Sequence, residues 1–266
     1  MMQAGLRMAP MVLIMLSASL AGCFGDDGDG GGDYTGPIDL IVYYDSTSGQ
    51  IEQAWNGGTN TQNEGVTLTF DFASTTSSDA DIATIFIDPD DGSDRVEESA
   101  SDTGEVSYTW MTHGLFDVTL GAVDDDGNEH SIMINVRVDM HIVKTDSPSG
   151  SHTMTFDVTS DCSDGVPLPN KIELSSEASN AESGFFGGNS EVTWTLTDSE
   201  DTAIDSDQGT IPDGSSETWD TSTMAIIEGD WILGLEVTQG DEVSISNDVM
   251  ITYVEGSESP INPRPA

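Results

Sequence analysis

Two clusters of acidic residues in predicted turns have the chemistry to bind a hard cation. The first turn carries four aspartates, Asp88, Asp90, Asp91 and Asp94. The second turn carries Asp124, Asp125, Asp126 and Glu129. Carboxylate oxygens are the ligands that Ca²⁺ prefers, although neither turn has the spacing of an EF-hand loop. Aspartate also satisfies backbone groups in ordinary turns, so the first turn is either a calcium site or a solvated turn.

Aromatic side chains offer a second chemistry, the stacking of a flat ring against a sugar. The candidates for a carbohydrate-binding surface are Tyr43, Tyr44, Trp55 and Trp219. Most of the five tryptophans, however, occupy inward positions of predicted strands, where we expect them to belong to the core. The aromatic residues therefore permit glycan binding without locating a site.

Motifs of catalysis are missing from the sequence. None of the four histidines, His113, His130, His141 and His152, lies in an HExxH motif. No Gly-x-Ser-x-Gly motif and no glycine-rich phosphate loop with a lysine occurs. With Lys144 and Lys171 as the only lysines, cations that stabilise an oxyanion or a phosphate are scarce. We therefore expect a protein that is not an enzyme, and a surface hydrolase that uses two carboxylates is the least favoured alternative.

The first residues have the layout of a secretory signal peptide. Arg7 precedes an apolar stretch centred on Met11 to Leu16, which is too short for a membrane-spanning helix. The following Leu20-Ala21-Gly22-Cys23 resembles the prokaryotic lipoprotein box. This resemblance implies that residues 1–22 are removed and that a lipid is attached to the sulfur of Cys23.

Residues 23–37 consist of the predicted lipidated cysteine and, after it, a run rich in glycine and aspartate. Because this run has no periodicity that could bury a face, it predicts a flexible tether between the membrane and a folded domain. A flexible segment of this length spans on the order of 20 Å. With Cys23 lipidated, Cys162 is the only other cysteine, and we expect no disulfide within the chain.

The charge of the chain restricts its partners and its surroundings. Asp and Glu number 49 against 6 Lys and Arg, a formal net charge of −43, and loss of Arg7 with the signal peptide leaves it near −44. Nucleic acid and other polyanions would be repelled, so we expect no nucleic-acid partner. Repulsion among so many carboxylates also predicts an ionic, saline medium. These properties fit a protein of the cell surface.

Alternating apolar residues predict an all-β fold of two domains in series. Val66 to Phe72 alternates, and so does the stretch that carries Ile132, Ile134, Val136 and Val138. The pattern begins afresh beyond Met140. A faint repeat aligns Gly114–Ala122 with Gly229–Val237, an offset of 115 residues that suits a sandwich domain. We predict two tandem immunoglobulin-like β-sandwiches and, after them, a disordered tail that contains prolines. The predicted ranges are 38–139 for the first sandwich, 140–254 for the second and 255–266 for the tail.

Ser78 to Val138 resembles the polycystic kidney disease (PKD) repeat, an immunoglobulin-like sandwich of extracellular and cell-surface proteins. Phe86-Ile87-Asp88-Pro89-Asp90-Asp91-Gly92 stands in for its WDFGDG-like turn, with Phe86 in place of the tryptophan and Pro89-Asp90 in place of Phe-Gly. Gly114 to Leu120 then fits its Y-x-V-x-L strand, and Val123 to Gly127 fits its acidic D-x-x-G turn. The resemblance implies an extracellular sandwich domain over about a quarter of the chain.

These observations lead to one preferred function and two alternatives. We expect a prokaryotic lipoprotein that is anchored to the cell membrane and acts outside the cell as a non-enzymatic adhesion, recognition or spacer module. The first alternative is a calcium-dependent protein that binds a surface polysaccharide or glycoprotein. The second is the surface hydrolase.

Overall fold

A computed structural model describes residues 34–160, 167–182 and 187–265. Over these residues the chain forms 17 strands and no helix, so the predicted all-β fold is confirmed. The described part accordingly has no helix of the length and apolar character needed to cross a membrane. The predicted signal peptide, Cys23, most of the predicted tether and Cys162 lie outside the described residues.

The strands in chain order are β1 Ile38–Asp39, β2 Ser48–Asn56, β3 Thr59–Glu64, β4 Val66–Asp71, β5 Thr76–Ser77, β6 Ile82–Asp88, β7 Val96–Ser99, β8 Glu105–Trp110, β9 Gly114–Asp124, β10 Glu129–Ser149, β11 Ser151–Asp157, β12 Lys171–Ser179, β13 Ser190–Thr197, β14 Ala203–Ile211, β15 Ser216–Thr223, β16 Asp230–Gln239 and β17 Val243–Thr252. Neighbouring strands are antiparallel except for β2 and β10, which run parallel.

The first sandwich is built from the strands that precede residue 139. One of its sheets has the order β7-β6-β9-β10, and β4 pairs with β8 on the opposite side. Trp110 of β8 is fully buried and stacks on Phe116 of β9, with the ring centroids 6.1 Å apart. The indole N–H of Trp110 donates to the carbonyl oxygen of Pro89 at 3.2 Å, so the one polar atom of this ring is also satisfied.

Phe86, which stands where the PKD repeat has its tryptophan, also belongs to this sandwich. It is buried in β6, and the Arg95 guanidinium lies 3.4 Å from the centroid of its ring. Its ring lies against Gly121 of β9, where a Cβ atom would come within 2.2 Å of it. A glycine is therefore required at position 121 by packing.

The second sandwich has two sheets of four strands. The second half of β10 leads the order β10-β17-β12-β15, and the other sheet has the order β11-β16-β13-β14. Trp194 of β13 faces Trp219 of β15 across the core, with ring centroids 6.4 Å apart. The indole N–H of Trp194 donates to the hydroxyl of Ser176 at 3.0 Å. Two facing antiparallel sheets of this kind form a β-sandwich.

The two sandwiches share strand β10. Residues Glu129 to Val138 of this strand pair with β9, and residues Met140 to Ser149 pair with β17. The strand runs for 21 residues without a loop or a linker at the predicted domain boundary. Since each half of β10 is part of one sandwich, the backbone hydrogen bonds of a single sheet connect the two.

The β2–β3 hairpin reinforces this connection. β2 runs parallel to β10 from Arg137 to Thr145, and so it spans the point where one sandwich gives way to the other. Residues 140–145 of β10 are therefore paired on both sides, with β2 and with β17. All six residues of β3 are exposed, and it forms the outer strand of the hairpin.

The predicted alternation of buried and exposed residues is confirmed in most strands. β4 buries Val66, Leu68 and Phe70, and β16 buries Trp231 and Leu233 in the same way. The prediction is wrong for Ile132, which is 38% exposed. This residue lies close to the β9–β10 turn, where β10 extends beyond the buried part of the strand.

The C-terminal segment is ordered, contrary to the predicted disordered tail. Over the described residues 255–265 it runs back along the first sandwich, where Asn262 and Tyr44 exchange backbone hydrogen bonds. The backbone N–H of Ser259 donates to the carbonyl oxygen of Asn135, and Glu258 forms an ion pair with Arg137 at 2.9 Å. The prolines of this segment suggested disorder. Its partners lie more than 100 residues away in sequence, and composition could not identify them.

Candidate functional site

Three of the four aspartates of the first turn, Asp88, Asp90 and Asp91, accept hydrogen bonds from the chain itself. Oδ1 of Asp91 accepts from the backbone N–H of Ser93 at 3.0 Å, and Oδ2 accepts from the hydroxyl of Tyr108 at 2.6 Å. Oδ2 of Asp90 accepts from the backbone N–H of Asp117 at 3.0 Å. Asp88 and Asp94 are exposed at the surface. The aspartates thus stabilise the turn and its contacts with β8 and β9.

The predicted calcium ligands do not form a group that could hold a metal ion. Among the residues that the structure describes, no three His, Cys, Asp or Glu side chains are grouped in a way that could hold a metal ion. The geometry of the first turn therefore favours the second of the two interpretations, a turn whose carboxylates serve the protein backbone and Tyr108.

Burial changes the acid–base behaviour of this turn. It raises the pKa of Asp90, and the nearby carboxylates of Asp117, Asp88 and Asp91 raise it further, against the opposing hydrogen bond from the Asp117 backbone. Burial and the hydrogen bond to Asp91 raise the pKa of Tyr108 to about 12. Tyr108 therefore remains a neutral hydrogen-bond donor to Asp91 throughout the physiological range.

The second turn is organised by one buried carboxylate. Asp124 is buried, and its Oδ1 accepts from the backbone N–H groups of Asp126 and Asn128 at 3.1 and 2.9 Å. Burial opposes ionisation, but the hydrogen bonds from Asn128, Ser77 and Asp126 outweigh it and lower the pKa of Asp124. The acidic D-x-x-G turn of the PKD resemblance therefore has a structural explanation, since its first aspartate closes the β9–β10 connection.

Two of the four aromatic candidates for sugar binding belong to the core instead. Tyr44 is buried against Phe70, and Trp219 is buried against Trp194. Trp219 is only 6% exposed, so the prediction is wrong for it, and Tyr44 is 9% exposed and reaches a cavity only at its edge, beside Tyr43. Tyr43 and Trp55 are only partly buried, and each lines a different cavity.

Trp55 lines a cleft of about 470 Å³ at the junction of the two sandwiches. Four segments that are distant in sequence form this junction cleft: the β2–β3 hairpin, the β8–β9 loop at residues 111–113, β10 at residues 140–144, and β11 with the residues after it. The apolar side chains that line it are Trp55, Met111, Met140, Ile142, Met154 and Phe156. Sequence analysis identified Trp55 as a candidate but could not bring these segments together.

The polar groups of the junction cleft hold its walls in place. The ring nitrogens of His113 lie 2.9 Å from the hydroxyl of Tyr253 and 3.2 Å from the carbonyl oxygen of Asp157. Nζ of Lys144 donates to the carbonyl oxygen of Thr153 at 2.7 Å. His113 therefore connects the first sandwich to the second, and Lys144 connects β10 to β11. An apolar floor with a few oriented polar groups at its rim is the usual form of a small-ligand site.

Comparison with known proteins identifies a domain within the first sandwich. Residues 52–138 match the family model described as a PKD domain. A search among curated proteins finds no match.

Solved structures resemble the chain only distantly. Carbohydrate-binding modules of the β-sandwich superfamily are 12% identical, with 82% of this chain and 98% of that chain covered and a TM-score of 0.30. Fibronectin(III)-like modules of Clostridium thermocellum CbhA are 16% identical, with 65% and 94% covered and a TM-score of 0.25. The SGBP-B protein of the Bacteroides ovatus mixed-linkage glucan utilization locus, in complex with a heptasaccharide, is 13% identical, with 75% and 52% covered and a TM-score of 0.18.

The matched range 52–138 contains the motifs that suggested the PKD resemblance. It begins within β2 and ends within β10, and so it takes in the strands that surround Trp110 and Phe86. The chain therefore carries a PKD-like, immunoglobulin-like domain over residues 52–138.

Proposed function

We propose that the protein is a lipid-anchored recognition module of the cell surface that binds a ligand in the junction cleft and catalyses no reaction. The observation that carries this proposal is the shared strand β10. Because β10 runs through the cleft and continues directly into β11 on one side, while the β8–β9 loop on the other side leads into β9, which pairs with β10, we expect the cleft to keep its shape when ligand binds. A site held in its binding conformation loses little entropy on binding.

The PKD domain supports the proposed location and the absence of catalysis. Domains that resemble the PKD repeat occur in extracellular and cell-surface proteins. The lipid on Cys23 and the tether over residues 23–37 would hold the two sandwiches near the membrane. In this arrangement the module acts both as a spacer and as a recognition element.

A neutral glycan is the ligand class that the junction cleft fits best. Its volume of about 470 Å³ lies in the range typical of small-ligand sites, about 300–1,000 Å³. Trp55 supplies an aromatic face, while Gln53 and Thr112 supply polar groups at the rim. The strongly negative chain disfavours an anionic ligand. Calcium has no part in this proposal, because the aspartates of the first turn lie outside the cleft.

A glycan array with two matched variants tests the ligand. We expect the wild-type protein to bind a subset of neutral glycans, and we expect Trp55→Ala to lose that binding. Tyr43→Ala is the control, because Tyr43 is a partly buried aromatic residue that lines a separate cavity. Glycan binding that survives Trp55→Ala, or an array on which the wild type binds nothing, would exclude the junction cleft as a glycan site.

The anchor is tested separately by fractionation of cells that express Cys23→Ala. We expect the variant to be released into the medium or to keep its signal peptide, while the wild type stays with the membrane. A wild-type protein that is soluble and carries no lipid on its N-terminal peptide would disprove the anchor.

A further inference from the structure

The outer face of the four-stranded sheet in the second sandwich carries an uncharged patch. Seven residues of β11, β13 and β16 that point away from the core share this property: Thr153, Thr155, Thr193, Thr195, Thr197, Ile232 and Gly234. Acidic residues at Glu191, Glu236 and Asp230 border it. The uncharged residues therefore lie inside an acidic rim on the same face of the sheet.

Gly234 lies at the centre of this patch, between Thr153 of β11 and Thr195 of β13. A Cβ atom at Gly234 would meet no heavy atom closer than the Thr195 carbonyl oxygen at 3.9 Å. The φ angle of Gly234 is also not positive, so its backbone conformation is open to other residues. Neither packing nor backbone conformation therefore requires glycine here, in contrast to Gly121.

The missing side chain opens a trough of about 270 Å³ across the sheet, between the threonines of β11 and those of β13. Glycine weakens a strand interior, and where a fold does not need it, it often marks a place where another molecule comes close to the backbone. Two strand spacings of about 4.8 Å separate the threonine rows, so the floor of the trough is about 10 Å wide between their backbones.

We propose that this trough binds a neutral polysaccharide chain. Each threonine presents a hydroxyl and a methyl group, which match the hydroxyls and the C–H faces of sugar rings. The uncharged floor and its acidic border disfavour a polyanion. The trough shares no lining residue with the junction cleft, although Thr155 of the patch lines that cleft, and this proposal does not depend on the function proposed for the cleft.

A polysaccharide fits the trough better than a peptide does. An extended peptide gains most of its affinity by pairing with an open strand edge. The trough lies over β16, whose two edges are already paired with β11 and β13. A ligand that binds through side-chain hydroxyls and ring faces needs no such edge.

Affinity electrophoresis in gels that contain starch, xylan, galactomannan or β-glucan tests the proposal, with polygalacturonate as the anionic comparison. We expect at least one neutral polysaccharide to retard the wild-type protein. Gly234→Thr fills the trough, and we expect it to weaken that retardation at least tenfold while the melting temperature stays equal or rises. Gly150→Thr, in the turn between β10 and β11, is the matched control and should bind like the wild type.

Further variants keep the proposal testable if Gly234→Thr lowers the melting temperature. Thr153→Val and Thr195→Val remove one hydroxyl each at nearly constant shape, and each should weaken retardation. Trp55→Ala distinguishes the two sites, since it should leave retardation by the trough unchanged. Retardation by polygalacturonate alone, retardation lost only in Trp55→Ala, or equal retardation of wild type and Gly234→Thr would overturn the proposal, as would a wild type that no gel retards.

Discussion

At the scale of single residues, aspartate closes turns in both sandwiches. Asp124 does so in the first, and Asp198 does so in the second, where its Oδ1 accepts from the backbone N–H groups of Glu200 and Thr202 at 2.9 Å each. Turn preference placed Asp124 in a predicted turn, but no prediction was made for Asp198. It could not predict the partner of Asp91, because the hydroxyl of Tyr108 belongs to a strand 17 residues away.

Replacement of Asp90 by asparagine is expected to stabilise the protein. Asp90 has a φ of +61°, a conformation that asparagine tolerates, and the asparagine oxygen can still accept from Asp117. Because folding raises the pKa of this carboxyl above 3.8, its ionisation opposes folding once the pH exceeds the unfolded value. Asp90→Asn should therefore raise the free energy of unfolding at pH 7 by about 0.5 kcal/mol.

Urea denaturation of wild type and variant at pH 7 and at pH 3 measures this effect. The gain in free energy of unfolding should shrink at pH 3, where Asp90 is largely protonated in both the folded and the unfolded state. Asp94→Asn, an exposed position in the same turn, should change stability less. A lower stability of Asp90→Asn at pH 7 would contradict the argument.

Calcium is expected to stabilise the protein no more than magnesium does. A specific site of millimolar to submillimolar affinity would add roughly 1.4 to 2.7 kcal/mol at 10 mM Ca²⁺. The carboxylates of Asp90 and Asp91 already accept hydrogen bonds from the chain, so we expect no such gain. Melting temperatures with 10 mM of either ion in 1 M NaCl should agree. A rise with calcium that Asp90→Asn with Asp91→Asn removes would restore the calcium site.

At the scale of secondary-structure elements, the sequence predicts which face of a strand is buried better than it predicts which strands pair. Alternation assigned the buried side of β10 correctly at Ile134, Val136 and Val138. The domain boundary predicted at Met140 falls within β10, where the same alternation continues through Met140 and Ile142 and gives no sign that the strand passes from one sandwich to the next. The faint repeat likewise aligned strands that do not hold equivalent places. β9 lies in the sheet that the two sandwiches share, whereas β16 lies in the other sheet of the second sandwich. Periodicity reports which side of a strand is buried, whereas pairing depends on contacts distant in sequence.

A histidine on the shared strand is expected to make stability depend on pH. His141 of β10 lies 2.7 Å from a carboxylate oxygen of Glu52 in β2 and 3.1 Å from one of Asp248 in β17. Burial alone would lower its pKa, but the hydrogen bonds and charges of Asp248 and Glu52 outweigh burial and raise it. The contribution of His141 to the free energy of unfolding is therefore complete below the unfolded pKa of 6.5, and it is lost as the pH rises through the folded pKa.

His141→Gln should remove this part of the pH dependence. Between pH 6 and pH 8.5 we expect the free energy of unfolding of the wild type to fall by about 0.5 kcal/mol more than that of the variant. The difference is small because the three side chains are partly exposed and their charges are screened. Guanidine or heat denaturation at several pH values measures it, with His130→Gln as the control. The same pH dependence in wild type and His141→Gln would show that the contacts with Glu52 and Asp248 do not stabilise the fold.

The C-terminal segment is expected to stabilise the first sandwich through Glu258. Its carboxylate forms an ion pair with Arg137, whose guanidinium also contacts Asp139, and both side chains of the Arg137–Glu258 pair are less than a fifth exposed. Glu258→Gln should lower the free energy of unfolding by about 1–2 kcal/mol, since a largely buried charged hydrogen bond is weakened. Denaturation in 1 M NaCl measures this loss with long-range repulsion screened. The exposed Glu255→Gln is the control, and equal stability of the two variants would argue against a role for the ion pair.

At the scale of the whole molecule, carboxylates far outnumber the cations available to them. The described cations are Arg95, Arg137, Lys144, Lys171 and Arg264, and each already forms an ion pair with at least one carboxylate. Within the described ranges, most carboxylates take part in none of these ion pairs. Composition alone predicted this imbalance, because the sign and number of charges do not depend on the fold.

Salt is therefore expected to stabilise the folded protein. Added NaCl weakens two opposing sets of interactions, the few ion pairs and the many repulsions between carboxylates. The partly exposed pairs of Arg95 and Lys171 contribute little, so the loss from screening them is small. The repulsion belongs to a net charge of −43 and is greatest in the compact state, so its relief dominates. The melting temperature should rise steadily from 10 mM to about 1 M NaCl. Equimolar sucrose controls for effects that do not depend on ions, and a melting temperature that is flat or falls across this range of NaCl would show that repulsion among the carboxylates does not limit stability.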